Sequence, residues 1–150
     1  MPTYTCAARA GLLDEGRKSG IARAVTLAHA EVTGAPTHFA QVLFEDLGES
    51  DHFIGGVPLA HDHLFLYGRI RAGRSQAVRE ALIRRLAADV ATAAGLEPFA
   101  VWVYLLELPP AAMVEFGHVL PDAGDEAAWT AALPAEDRAR MEHIQRRLRR

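Results

Sequence analysis

The sequence predicts an α/β (α+β) fold of tandem, duplicated β-α-β units followed by short C-terminal helices. Three features carry this: an element order that occurs twice, residue matches between the two copies, and a composition suited to one packed core. Of the 150 residues, 50% are hydrophobic and 23% charged, the balance of a globular chain rather than a disordered one. That length fits a single domain. Residues 2–47 form unit one, 63–108 unit two and 109–150 a C-terminal segment.

Thr3 to Ala8 reads as a short strand. Gly11 to Thr33 reads as loop then helix, because Ile21, Val25, Ala28 and Val32 recur at helical spacing and Gly34 follows as a stop. Phe39 to Glu45 is a second strand. The order then restarts. Leu64 to Ile70 is a strand, Ser75 is a helix N-cap, and Leu82, Leu86, Val90 and Ala93 form a helical stripe ending at Gly95. Ala100 to Leu106 is the closing strand. A β-α-β order favours parallel pairing within each unit.

At an offset of 62, Arg9-Ala10-Gly11 aligns with Arg71-Ala72-Gly73, Ile21 with Ile83, Pro36 with Pro98, Leu43 with Leu105 and Glu45 with Glu107. Gly48 to Asp62 connects the units, with a hairpin expected at Ile54-Gly55-Gly56-Val57. Pro109 to Gly124 reads as irregular and Glu126 to Ala132 as a short helix. Pro134 opens a last helix, whose terminal Arg146-Arg147-Leu148-Arg149-Arg150 suits the negative end of a helix dipole.

Sixteen Lys+Arg against nineteen Asp+Glu give a net charge of −3, which argues against a broadly basic nucleic-acid binder. The single cysteine, Cys6, excludes an intrachain disulfide and a cysteine-rich zinc module. The longest stretch without Asp, Glu, Lys or Arg runs from Val32 to Phe44, too short to span a bilayer. Arg9 interrupts the opening before a signal-peptide core develops. The expectation is a cytoplasmic protein with neither membrane nor nucleic-acid partner.

Several residues could carry chemistry. Removal of Met1 would leave Pro2 as a secondary amine at the start of a strand, able to act as general acid, general base or nucleophile near neutral pH. Arg71 and Arg74 flank Gly73 at the turn before the Ser75-capped helix. They are either two exposed loop arginines or an anion site reinforced by the helix N-terminus. At the offset of 62 the counterpart of Arg74 is Leu12, of Pro2 is Leu64, of His29 is Ala91, of Tyr104 is Val42 and of Glu115 is Phe53. The potentially chemical residues therefore occur once per chain, implying one site assembled from both units. His29 either caps its helix or serves the site. Tyr104 is either a buried aromatic or functional, and Glu115, among apolar neighbours, is paired, exposed or functional. His61-Asp62-His63 has ligand-like spacing but no third ligand, so no metal site is expected. His38, His52, His118 and His143 form no pattern.

These residues together resemble the tautomerase superfamily, and within it the cis-3-chloroacrylic acid dehalogenase group. The resemblance runs through Pro2, Ala28-His29, Thr33-Gly34, Gly55-Gly56-Val57, Arg71-Ala72-Gly73-Arg74-Ser75, Val101-Trp102-Val103-Tyr104 and Met113-Val114-Glu115-Phe116-Gly117. It implies a tautomerase-like fold, a homotrimer, no cofactor, and a small unsaturated carboxylate as substrate. By the same resemblance Arg71, Arg74 and His29 hold the carboxylate, Glu115 assisted by Tyr104 activates water, and Pro2 delivers a proton. The loop Thr33 to Phe39 would lie over the site. Ala35-Pro36 and the opening Thr3-Tyr4-Thr5-Cys6 look more like homologues that dehalogenate weakly. The resemblance thus points to a reaction class, hydration or hydrolytic dehalogenation, rather than to a halogenated substrate. The alternatives are a keto-enol tautomerase with neutral Pro2 and a non-catalytic interaction module on the same scaffold.

Overall fold

The structure, a computed structural model, describes residues 2–148. Met1, whose removal the sequence reading invokes, and the terminal Arg149 and Arg150 lie outside the described residues. Unit one contains β1 (Thr3–Arg9), α1 (Glu15–Thr33), β2 (Gln41–Leu47) and a hairpin of β3 (Phe53–Ile54) and β4 (Val57–Pro58). Unit two repeats this with β5 (Leu64–Arg71), α2 (Gln76–Ala94), β6 (Val101–Leu108) and a hairpin of β7 (Val114–Glu115) and β8 (His118–Val119). Two helices follow, α3 (Glu126–Ala132) and α4 (Ala135–Leu148).

Both long helices begin and end where side-chain chemistry dictates. Asp14 accepts from the Arg17 N–H and Ser75 from the Val78 N–H, while Gly34 and Gly95 close the helices at positive φ. A 3-10 turn over Thr37–Phe39 delays β2, so the strand starts at Gln41 rather than at Phe39. The expected hairpin at Ile54 to Val57 is present. The segment read as irregular after Pro109 holds its counterpart, β7–β8. Two-residue strands are too short to show alternation, so this hairpin leaves no periodic trace in sequence.

The main sheet has the order β2-β1-β5-β6. Each unit contributes a parallel pair, and the units join through antiparallel β1 and β5. Helices α1 and α2 pack together over one face. Tyr4, Cys6, Leu64, Leu66 and Ile70 from the sheet meet Ile21, Val25, Leu82, Leu86 and Val90 from the helices in one core. The other face is left open, and Leu43, Trp102, Tyr104 and Leu106 are exposed on it. Among the described residues, no helix is long and apolar enough to cross a membrane.

The structure corrects the repeat alignment. The strand ends Arg9 and Arg71 are 62 apart, but the caps Asp14 and Ser75, the caps Gly34 and Gly95, and the two hairpins are 61 apart. The strand-to-helix turn of unit two is one residue shorter. The counterpart of His29 is therefore Val90, not Ala91. That of Tyr104 is Leu43, not Val42, and that of Glu115 is Ile54, not Phe53.

Tyr4 faces Gly68 across the central pair. A Cβ built on Gly68 would lie 2.5 Å from Tyr4 Cε1 and 2.8 Å from Leu105 Cδ2. The missing side chain makes room for the Tyr4 ring, and a methyl group there would overpack the core. Gly68→Ala should cost about 1–3 kcal/mol, read as a lower urea midpoint at unchanged m-value. An unchanged midpoint would show that the ring moves aside freely.

Candidate active site

The N-terminal end of β1 and the C-terminal end of β5 meet at one edge of the core. Pro2 is buried immediately before β1, and its carbonyl accepts from the Gln41 N–H at 3.0 Å. Arg71 is the last residue of β5 and Arg74 directly precedes the α2 N-cap. His29, near the end of α1, is only 2% exposed and so is Arg71.

His29 is oriented by a residue that sequence reasoning passed over. The Tyr4 hydroxyl and His29 Nδ1 are 2.8 Å apart, both buried. Burial raises the Tyr4 pKa, against a smaller opposing pull from Arg74, so the phenol keeps its proton. Its O–H donates to Nδ1, which leaves the His29 proton on Nε2. Nε2 is buried and has no hydrogen-bond partner among the described residues. Burial, with the charges of Arg74, the chain's amino terminus and Arg71 adding to it, lowers the His29 pKa to about 3. His29 is thus a neutral N–H donor at physiological pH.

Arg71 uses one edge of its guanidinium on the C-terminal segment. Nη1 donates to the Pro121 carbonyl at 2.8 Å and to that of Asp122 at 3.4 Å, and Nη2 pairs with the Glu126 carboxylate. Nε is buried without a partner among the described residues. Arg74, half-buried, donates to the Arg71 carbonyl at 2.8 Å. Its pKa lies below the ordinary guanidinium value because of burial first and the Arg71 charge second. The cluster therefore presents two unused buried donors, Arg71 Nε and His29 Nε2, beside the cation of Arg74. Unpaired buried donors are costly, and an anion is the partner that either donor would take.

Glu115 ends β7, and the turn beyond it is backbone-strained. Phe116 has φ of 52° and Gly117 of 85°, the two positive values of a two-residue hairpin turn. The equivalent turn of unit one uses Gly55 and Gly56. Phe116 holds a left-handed conformation that costs an ordinary residue roughly 1–2 kcal/mol. A cavity of about 660 Å³ lies against this turn, walled by Glu115, Phe116, Met113, Phe39, Gln41 and Thr3, among others. Thr3 and Gln41 flank Pro2, but the cationic cluster lies behind them, outside the cavity wall. His38 lines the same cavity, its ring nitrogens buried and without regular hydrogen bonds.

Tyr104 is not brought to this site within one chain. It is 55% exposed on the open face, stacked edge-on against Phe65, whereas His29 lies on the helical side. The register sets Thr3 opposite Arg69 and Arg69 beside Leu106. Pro2 and Tyr104 are thus two strands and three residues apart, roughly 14 Å between backbones. In the His61-Asp62-His63 run Asp62 pairs with Arg9, and among the described residues no group of three His, Cys, Asp or Glu is placed to hold a metal ion. Tyr4, Glu126 and Phe116 are the residues that sequence reasoning missed. Only Phe116, standing at a turn position that takes glycine in unit one, left a signal, and the 62-residue offset hid it.

A family model described as "Putative oxalocrotonate tautomerase enzyme" matches residues 1–132. The chain is similar to a crystal structure of a member of the cis-3-chloroacrylic acid dehalogenase family, with 33% identity and a TM-score of 0.91 over 94% of this chain and 99% of that one. It shares its fold with a wild-type fused 4-OT solved as an asymmetric trimer, at 21% identity and a TM-score of 0.72 over 78% and 94% of the two chains. A second fused 4-OT, a symmetric trimer, matches at 20% identity and a TM-score of 0.72 over 81% and 97%. No curated protein matches the chain.

The neutrality of His29 has a consequence for acid stability. Its folded pKa of about 3 lies below the ordinary value of 6.5, so the unfolded chain binds the proton first. The stabilisation is complete above pH 6.5 and lost as pH falls toward 3, with a slope of about 1.4 kcal/mol per pH unit for one proton. Subtracting the denaturation profile of His29→Gln, which can still accept from Tyr4, from that of wild type should isolate this slope. Parallel profiles would show that His29 titrates normally.

Proposed function

The chain belongs to the tautomerase superfamily, and from that premise we propose that it hydrates an α,β-unsaturated carboxylate without a cofactor, using Pro2 as an N-terminal amine after Met1 is removed. The observation that carries this reading is the buried cluster of His29, Arg71 and Arg74 beside Pro2, with two donors left for an anion. Arg71 Nε, His29 Nε2 and the Arg74 guanidinium hold the substrate carboxylate and stabilise the enediolate charge that develops on it. Glu115, as carboxylate, takes a proton from water while the hydroxyl bonds to C3. Protonated Pro2 gives its proton to C2, and proton exchange with solvent resets both groups. A 3-halo substrate would then lose halide and a proton to give malonate semialdehyde.

Tyr104 assists Glu115 only if a second copy of the chain supplies it, because its own chain holds it on the far face. Self-association through that face, as a homotrimer, accounts for an uncovered sheet bearing Leu43, Trp102, Tyr104 and Leu106. The fused 4-OT neighbours are themselves trimers. Keto-enol tautomerisation is the second reading, favoured by the matching family model. It needs Pro2 neutral, whereas hydration needs it protonated.

Four measurements separate these roles. Arg74→Ala should lower kcat/KM on an unsaturated monocarboxylate by about 10- to 150-fold, the loss of one charge-assisted contact. Unchanged kcat/KM would remove Arg74 from the site. The hydration rate should be bell-shaped in pH, with limbs belonging to the coupled Pro2–Glu115 pair. Glu115→Gln should abolish hydration while keeping turnover of an enol such as phenylenolpyruvate; full hydration by that variant would exclude Glu115 as the base. Sedimentation should show a trimer at micromolar concentration, and a stable monomer would argue against a Tyr104 supplied in trans.

A further inference from the structure

The two arginines of the cluster do not offer equal charge. Arg71 is 2% exposed and already ion-paired with Glu126, whose side chain is 32% exposed. The pairing is built into the segment before α3. The Gly124 N–H donates to the other Glu126 oxygen at 2.9 Å. The Pro121 and Asp122 carbonyls take the remaining Nη1 protons. A Cβ on Gly73, between the two arginines, would lie 3.1 Å from the Ala123 Cβ, so the segment sits directly on the turn. Burial alone would raise the Glu126 pKa, but the bond from Arg71 and two backbone N–H bonds hold it below the ordinary carboxylate value. The next cation along α2, Arg79, is paired with Glu107 at 3.0 Å. Among the described residues Arg74 alone in this cluster has no ion pair.

We propose that Glu126 sets the charge selectivity of this site: by claiming the outer edge of Arg71 and cancelling its charge, it makes the cluster a receptor for one carboxylate and a poor one for two. The inference rests on the carboxylate-binding reading above. Arg71 then contributes a neutralised donor, Nε, aligned by its clasp, and Arg74 contributes the one arginine charge in this cluster left uncompensated among the described residues. A second substrate carboxylate would meet Glu126 rather than a cation, and like charges at that range repel. Glu126 is accordingly a specificity-determining residue on a helix outside both repeated units. Its effect reaches substrate through Arg71.

The test is competitive binding of two acids of equal carbon count to the full-length, Met1-free protein, using crotonate with one carboxylate and fumarate with two. Wild type should bind crotonate at least about tenfold more tightly than fumarate. Glu126→Gln keeps an oxygen for Arg71 but removes the charge. It should shift the crotonate-to-fumarate ratio toward fumarate by about tenfold, which loss of folding or of simple structural support would not do. A wild-type preference for fumarate, or a ratio unmoved by Glu126→Gln, overturns the proposal while leaving the carboxylate site intact. Failure of wild type to bind either acid overturns both. A wild-type preference for fumarate overturns the proposal even if the variant does not fold.

Discussion

A guanidinium cannot shed its proton, so burying Arg71 obliges the fold to surround it with acceptors. Among the described residues, none of the acceptors for its guanidinium comes from the β-α-β units. The acceptors come from residues 121–126, where two carbonyls and one carboxylate converge on the side chain. The C-terminal segment is thereby drawn across the turn that holds Gly73 and Arg74. Leu120 follows it into a second small core with Phe39, Met113 and Trp129. Much of what lies beyond unit two takes its position from this one buried charge.

The same logic explains why a nearly symmetric scaffold has an asymmetric site. Both units carry the same order of strand, helix, strand and hairpin, with matching caps. In unit two the strand-to-helix turn is one residue shorter, and within it Arg74 donates to the Arg71 carbonyl. In unit one the helix carries His29, where unit two has Val90. The Tyr4 ring, seated over Gly68, reaches across the core to set the tautomer of that histidine. The hairpin that is relaxed in unit one, with two glycines, is strained at Phe116 in unit two, next to Glu115. Strain kept at one copy of a duplicated turn, beside a cavity, is the pattern expected where geometry serves a ligand rather than stability.

The sheet divides the candidate residues between two surroundings. Pro2, Arg71 and Arg74 sit at its edge and His29 on its helical side, and burial strengthens the electrostatic contacts of His29 and Arg71. Tyr104 stands on the open face with Trp102 and Leu106. A strand alternates its side chains strictly, so no adjustment within β6 could turn Tyr104 toward His29 without turning Val103 and Leu105 out of the core.

Much of this was legible in the sequence. Helix spacing and caps determined α1 and α2, because those signals are local: Ser75, Gly34 and Gly95 act within a turn of where they stand. The duplicated order determined the fold class, and the residue set Pro2, His29, Arg71, Arg74, Tyr104 and Glu115 could be picked out without coordinates. The tertiary structure alone decided what those residues meet. Gly68 and Tyr4 are sixty-odd residues apart in the chain, and Glu126 is 55 residues from Arg71, so neither partnership leaves a local pattern. Nor could sequence show that Tyr104 and His29 lie on opposite sides of the sheet: that follows from pairing register, which is set by the packing of all four strands at once.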